Sequence, residues 1–428
     1  MKVWHHAIKT LLLYGPKAVL SKVISKGVFF AMLFILAPLW LVRRAIGFLI
    51  LIRFGEINAV SFGALALTPE LYLSACERGL TKSRSKFHLD IWCFSGRPCN
   101  HQLAKMVARE LIIFPFWIVR PFIFLDRLFK ANDDFHIPNP DRDRFVFNTW
   151  WKEDVLGTTR THFAFTALEE NRATAEMNAM GIGANSEYVC FGGRDSAYLP
   201  IAMAQAFPHM ARDFAYHDYR NMEINNFLPA MEALAAKGIV SIRMGSIVSQ
   251  KLKTTSPLVI DYASCSLRSD LLDIYLASKC AFFVSPTSGI SHSAHLFRRP
   301  VAYINVAPLG TLIYLNVRTV FIPKKYWLIT ENRFMSLREI FAIGADAFFE
   351  TSEFDQAGIR LIENSPDEIC ELVSEFQKRI AGIWHDSPED SKLQRAFFSI
   401  WPERSRPTPI LYKIGSNFLR NYADVLLG

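Results

Sequence analysis

No two cysteines in this chain form a CxxC, and the 7 Cys lie scattered at positions 76, 93, 99, 190, 265, 280 and 370. An odd count without framework spacing argues against a disulfide scaffold and against structural zinc, and points to reduced thiols in a reducing compartment. A GxxxxGK[ST] loop is missing, no GxGxxG follows a strand, and no GxSxG elbow occurs. P-loop, dinucleotide-fingerprint and elbow-type hydrolase chemistry therefore have no local support. There is no zinc-finger spacing and no long Lys/Arg run, so nucleic acid comes last among partners for a formal charge of +8. A solvated basic surface, an anionic membrane face and phosphate-bearing substrates remain. Internal repeats and low-complexity segments are also missing.

What is present is an ordinary globular mixture, with 51% hydrophobic and 21% charged residues over 428 positions. That length predicts two domains rather than one core. The expected layout is a membrane-associating helical segment over 1–45, an N-terminal domain over 46–183, a second over 184–385 and a helical tail over 386–428.

Val28–Val42, "VFFAMLFILAPLWLV", is apolar throughout and flanked by Lys22, Lys26, Arg43 and Arg44. It is shorter than the about 20 residues that span a bilayer, and Pro38 interrupts it. "WLVRR" lacks the small residues of a cleavage site. These features predict a monotopic insertion into an anionic leaflet. The alternatives are a single-span anchor extended through Ala45–Ile52 and a buried helix. Glu110–Lys130 adds a dense aromatic cluster with Arg120, Arg127 and Lys130, which suits the headgroup boundary. A core helix packed on a sheet is the competing reading. Between these stretches, "FLILIRFGEINAVSFGALALTPE" reads as a strand, a Gly55 turn, a second strand and a Gly63 loop. A helix then opens near Thr68-Pro69-Glu70.

The second half alternates strands and helices and predicts a parallel α/β sheet. Three strand ends carry polar residues: Arg194, Arg243 with Met244, and Thr287-Ser288-Gly289. Parallel strands bring such ends to one edge. Backbone N–H groups at a helix start, hydroxyls and guanidinium groups together suit a diphosphate. Simple helix capping and structural ion pairs would account for the same residues. His292 and His295 lie three apart on the following helix but lack a third metal ligand. Asp273 is a candidate for a ribose or acceptor hydroxyl, or a solvated acid. Tyr216–Met222, "YHDYRNM", offers His217, Asp218 and Arg220 as substrate contacts or caps. "GIGANS" follows a helix and reads as a C-cap and turn.

"HDYRNMEINNFLPAMEALAAKGIVSIRMGS", "RSDLLDIYLASKCAFFVSPTSG" and "FRRPVAYIN", with "RFGEINAVSFGALALTPELYL" and "GRDSAY", resemble a family of glycosyltransferases found with bacterial surface-polysaccharide genes. More distantly, Ser288-Gly289 is similar to the donor-phosphate turn of heptosyltransferase-like enzymes. The resemblance implies two facing Rossmann-like domains of the GT-B type, a nucleotide-sugar donor, a glycan or lipid-linked acceptor, and neither cofactor nor obligatory metal. It implies that Thr287, Ser288 and Gly289 meet the donor diphosphate and that Arg194 and Arg243 offset its charge. The acceptor-side loop would include Gly55 and Gly63. The resemblance implies a histidine near Ala64, and Ala64 cannot accept a proton, so Glu56, Glu70, Asp195 and His217 remain candidates for the base. The expected location is the cytoplasmic face of the inner membrane. A transferase of another group, such as pyruvyl, and a non-catalytic partner of a polysaccharide complex are the competing functions.

Overall fold

The computed structural model describes residues 24, 26–81, 87–129, 135–206, 214–314, 319–402 and 412–428. Residues 1–23 of the expected membrane segment, and Lys130, lie outside that set. The chain divides into two compact units, Met1–Trp150 with Ala202–Arg212 and Trp151–Ile201 with Asp213–Gly428. The second unit thus begins at Trp151, where the sequence suggested 184.

The first unit runs α1 (Lys26–Ala45), β1 (Leu51–Asn58), α2 (Phe62–Glu77), β2 (His88–Ser95), α3 (His101–Glu110), β3 (Ile112–Ile113) and α4 (Phe116–Leu128), ahead of α5 (Arg144–Lys152). Its three strands are parallel in the order β1-β2-β3. Register is fixed by a cross-strand ion pair. Arg53 lies opposite Asp90 and grips it with two bonds of 2.6 Å, while the Tyr72 hydroxyl donates to the same carboxylate.

Two local expectations fail here for packing reasons. Gly55 is no turn: β1 runs straight through it, because a Cβ there would meet the Trp92 ring at 2.6 Å. The glycine makes room for that ring. Gly63 is not in a loop either. Helix α2 starts at Phe62 and carries Pro69 inside it, since every residue from Ala64 to Tyr72 is buried. Burial of that run outweighs the local start signal at Thr68-Pro69.

Helix α1 is long and apolar enough to cross a membrane by length and composition. One face of it is nonetheless built into the unit. Leu36 and Trp40 join Phe54, Ile91, Val119, Phe122, Ile123 and Leu125 in one apolar cluster. At its end Arg43 makes a two-bond pair with Asp126 of α4, at 2.7 and 2.8 Å, and the Trp40 indole donates to the same carboxylate at 2.7 Å. Both charges are buried, and the guanidinium lies over the Phe54 and Phe135 rings at 5.0 and 4.8 Å. The helix does not continue through Ala45–Ile52; residues 46–49 turn and Leu51 enters β1. The other faces of α1 and α4 stay apolar and open, with Phe34 81%, Ile35 64% and Trp117 54% exposed.

The second unit holds α6 (Val155–Thr158), α7 (Ala167–Ala179), β4 (Tyr188–Gly192), the first four residues of α8 (Tyr198–Ala206), α9 (Leu228–Ala235), β5 (Val240–Met244), β6 (Val259–Ile260), α10 (Asp270–Lys279), β7 (Phe283–Ser285), α11 (His292–Leu296), β8 (Val301–Val306) and β9 (Thr319–Pro323). There follow β10 (Lys325–Leu328), β11 (Arg333–Phe334), α12 (Leu337–Ala342), α13 (Thr351–Gln356), β12 (Ile359–Ile362), α14 (Pro366–Ile380), α15 (Pro388–Ser399), β13 (Lys413–Ile414) and α16 (Ser416–Leu427). Seven strands form one sheet in the order β13-β9-β8-β7-β4-β5-β6, with every neighbouring pair parallel. Strands β4, β5 and β8 are buried along their whole length, as a sheet covered on both faces requires. Numbered from β4, this is the doubly wound order 3-2-1-4-5-6, with β13 added at one edge. The expected helical tail 386–428 therefore contributes a strand to the main sheet. β10, β11 and β12 form a separate antiparallel sheet.

Arg43→Met should lower stability by about 3–5 kcal/mol, because it leaves the Asp126 carboxylate buried and uncompensated. Combining it with Asp126→Leu should recover most of that loss. Urea unfolding of the detergent-solubilised full chain measures both. A single variant as stable as wild type would show that the pair does not fasten α1.

Candidate functional site

In a sheet of this order the chain leaves β4 and β7 in opposite directions, which opens a crevice beyond their carboxyl ends. Gly192 and Gly193 end β4. A Cβ on Gly192 would meet Ile290 and Phe283 at 2.8 Å, and one on Gly193 would meet Ile224 at 2.7 Å. Gly192 lets the β4 end approach the turn after β7, and Gly193 lets it approach the 3-10 turn Ile224–Phe227. Arg194 comes next, half-buried, and its Nε has no hydrogen-bond partner among the described residues. Arg220, from the short 3-10 turn Ala215–Arg220, donates to the Thr287 carbonyl. Burial, and then the neighbouring Arg220 charge, push Arg194 down to about 10. Burial also lowers Arg220. Among the described residues no carboxylate forms an ion pair with either guanidinium. Two like charges near each other, which the Asp218 carboxylate influences but does not ion-pair, are an arrangement that suits an anion.

The turn after β7 is held from beneath. Ser285 and Ser288 hydroxyls meet at 3.1 Å, Ser291 donates to the Ser288 carbonyl at 2.7 Å, Tyr303 donates to Ser291 at 3.2 Å, and His295 Nε2 meets Tyr303 at 2.7 Å. Ser288 makes no side-chain cap, so capping does not account for it. The helix itself is shorter than the sequence pattern suggested: a 3-10 turn Gly289–Ser291, then five residues of α11. Its dipole is correspondingly small, and the arginines carry most of the positive field. His292 is pushed down to about 4 by burial and then by Arg220, and its Nδ1 lacks a partner among the described residues. His295 is pushed down to about 3 by burial, then by His292. Both rings are neutral at pH 7. Among the described residues no cluster of three His, Cys, Asp or Glu side chains could hold a metal ion.

The remaining expected site residues fall elsewhere. Arg243 is buried within β5 and donates to the Gln250 carbonyl at 2.6 Å. It faces Asp261 at 3.4 Å and Asp195 at 4.0 Å. Asp195 in turn accepts from the Ala197 N–H and from the N–H and hydroxyl of Ser249. This network folds the 245–252 loop onto the sheet edge and occupies both groups. Met244 is buried beside it. Asp273 binds Arg268 at 2.6 Å and the Tyr262 hydroxyl at 2.9 Å, and burial pushes it up to about 6. His217 stacks on Tyr216 at 3.9 Å, in the same turn as Arg220. Glu70 is buried inside α2. Glu56 is different. It ends in a cavity of about 510 Å³ in the first unit, pairs there with Arg142 at 2.7 Å, and shares the lining with Asn58, Ser95, Arg120 and Arg127.

Arg194 and Thr287–Gly289 follow β4 and β7, two neighbouring strands of the sheet, while Arg220, which the sequence offered only as one of several contacts within "YHDYRNM", reaches the Thr287 carbonyl. Its position opposite Thr287 follows from a contact 67 residues away in sequence, which no local pattern encodes. No family profile matches the chain, and no curated protein matches it. Among solved structures, the glycosyl transferase family 9 protein from Veillonella parvula DSM 2008 is similar over 60% of this chain and 80% of that one, at 9% identity and a TM-score of 0.36. A TM-score that low does not establish a common topology.

The depressed His295 value fixes the sign of a pH effect. The unfolded imidazole takes its proton near 6.5 and the folded one only near 3. Stability is therefore full above about pH 6.5 and falls as the pH drops below it, by about 2 kcal/mol at pH 5. His295→Gln should flatten that part of the curve in thermal unfolding across pH 5–7; an unaltered slope would assign the acid loss to other groups. Arg243→Ala should cost about 3 kcal/mol in unfolding free energy by stranding Asp261 and Asp195. A variant of unchanged stability would release Arg243 from this structural role.

Proposed function

We propose that this chain is a membrane-associated glycosyltransferase that moves a sugar from a nucleotide-sugar donor to a lipid-linked or surface-polysaccharide acceptor. The observation that carries the reading is the Arg194–Arg220 pair, without an ion-paired carboxylate among the described residues, at the switch point of a doubly wound parallel sheet. Such a pair suits a leaving nucleoside diphosphate. Glycosyl transfer develops positive charge at the sugar and negative charge on the departing phosphate. Fixed guanidinium groups stabilise that negative charge without reorganisation at the moment of bond breaking. Thr287, Ser288 and Gly289 supply hydroxyls and backbone N–H groups beside them. The exposed apolar faces of α1 and α4 support residence on a membrane, and the basic balance of the chain supports an anionic, cytoplasmic leaflet.

For the base, Glu56 has the strongest support among the carboxylates considered: it too is engaged, by Arg142 at 2.7 Å, but unlike Asp195 it lines a cavity. The engagement of Asp195 also favours a second reading, a non-catalytic nucleotide-binding partner of a polysaccharide complex.

Arg194→Met separates a ligand site from a structural one. It should weaken binding of a nucleoside diphosphate about 10- to 100-fold, the worth of one charge-assisted bond. Without ligand it should leave stability equal or higher, since a buried like-charge contact is relieved. Calorimetric titration with nucleoside diphosphates and thermal unfolding read the two effects. Unchanged affinity would remove the donor site. A panel of nucleotide-sugars then decides the chemistry: release of free nucleotide supports transfer, and binding without release supports the non-catalytic reading.

A further inference from the structure

We propose that the first-unit cavity binds the phosphate headgroup of a membrane lipid phosphomonoester or diphosphate, and that this is the acceptor's anchoring site. The inference rests on the glycosyltransferase reading for the word acceptor, but not for the binding. The cavity of about 510 Å³ lies where ligands enter a parallel sheet, beyond the carboxyl ends of neighbouring strands. Asn58 is the last residue of β1, Ser95 the last of β2, and Gly96 follows it. Helix α4 forms the opposite wall.

That wall has two characters. Arg120 and Arg127 are seven residues apart, two turns along one helical face, and both are exposed at the cavity. Among the described residues neither forms an ion pair with a carboxylate. The one acid in the lining, Glu56, is already matched by Arg142 at 2.7 Å. The four charged groups therefore leave two unmatched positive charges. Between and beside the arginines stand Phe116, Ile123 and Phe124. The Arg120 guanidinium lies over Phe116 and over Phe29 of α1, at 5.1 and 5.2 Å. Phe29 also meets Phe124 edge-on at 5.5 Å.

The cavity thus opens at the apolar face that α1 and α4 leave uncovered. A free phosphate would use the arginines alone. A phosphate on a hydrocarbon chain uses both features, with its head between Arg120 and Arg127 and its tail along the aromatic residues into the bilayer. Arginine with an aromatic platform is a common means of holding an anionic headgroup at the membrane boundary. Asn58, and Ser95 as an acceptor since its own hydroxyl donates to the Ile57 carbonyl at 3.3 Å, stand where they can meet a hydroxyl on the same ligand, close to Glu56.

The test uses the full chain and three vesicle types: phosphatidylcholine alone, phosphatidylcholine with phosphatidylserine, and phosphatidylcholine with phosphatidic acid at equal surface charge. Wild type should favour phosphatidic acid over phosphatidylserine by about tenfold or more in flotation, one charge-assisted contact's worth. Arg120→Gln with Arg127→Gln should abolish that preference while leaving nucleoside diphosphate affinity unchanged and lowering thermal stability only by the modest worth of the Arg120 contacts with Phe116 and Phe29. Equal binding to the two anionic vesicles would overturn the proposal, as would a double variant that keeps the preference. Inorganic phosphate that displaces the protein from phosphatidic acid vesicles at low concentration would also overturn it, by showing a site for the free ion. Nucleotide binding in the same samples reports separately on the second-unit site, so failure of one reading is distinguishable from failure of the other.

Discussion

Everything about the second unit follows from β4 lying between β5 and β7. Once the first strand of a parallel sheet sits in the middle, the chain must leave on one side and return on the other. Its end and the end of β7 then face each other across a gap that no connection fills. Gly192, with no Cβ, lets its backbone close that gap against the Ile290 side chain. Arg194 and Arg220 give it its sign. Bringing two partly buried guanidinium groups near each other is unfavourable in isolation, and an anion bound beside them would offset that cost.

The polar chemistry around this gap is divided between holding and binding. Arg243, Asp195, Asp261 and Ser249 satisfy one another and shape a loop. His295, Tyr303, Ser291 and Ser288 satisfy one another and shape a turn. What remains unsatisfied, Arg194 Nε and His292 Nδ1 among them, belongs to the same edge. Burial keeps the histidines neutral, so the site's charge comes from arginine and stays constant through the physiological pH range.

Much of this was legible in the sequence because parallel sheets announce themselves as short apolar runs ending in turn residues. "YVCFGGR" and "FFVSPTSG" carry both strand ends of the crevice in plain view. The pairing partners of the charged residues were not legible. Arg243 and Arg194 look equivalent as residues at strand ends, yet one has two acids waiting across 18 and 48 positions of chain and the other meets a second arginine. In the first unit the local signals at Gly55, Gly63 and Pro69 pointed to turns and a late helix start. Tertiary packing overruled them: the Trp92 ring needs the space at Gly55, and the apolar run of α2 needs burial from its first turn. The α1 segment read correctly as apolar, but that its end is fastened by Asp126, 83 residues on, is a fact only of the fold.

That fastening has a geometrical consequence. A helix riveted to its domain cannot stand upright in a bilayer while the domain floats above it; the two must rise and sink as one body. In any bilayer that α1 entered, its depth would therefore set the height of the Arg120–Arg127 cleft. A ligand reaching that cleft from such a bilayer would arrive by lateral diffusion, so occupancy would follow its density in the surface rather than its amount in the surrounding volume.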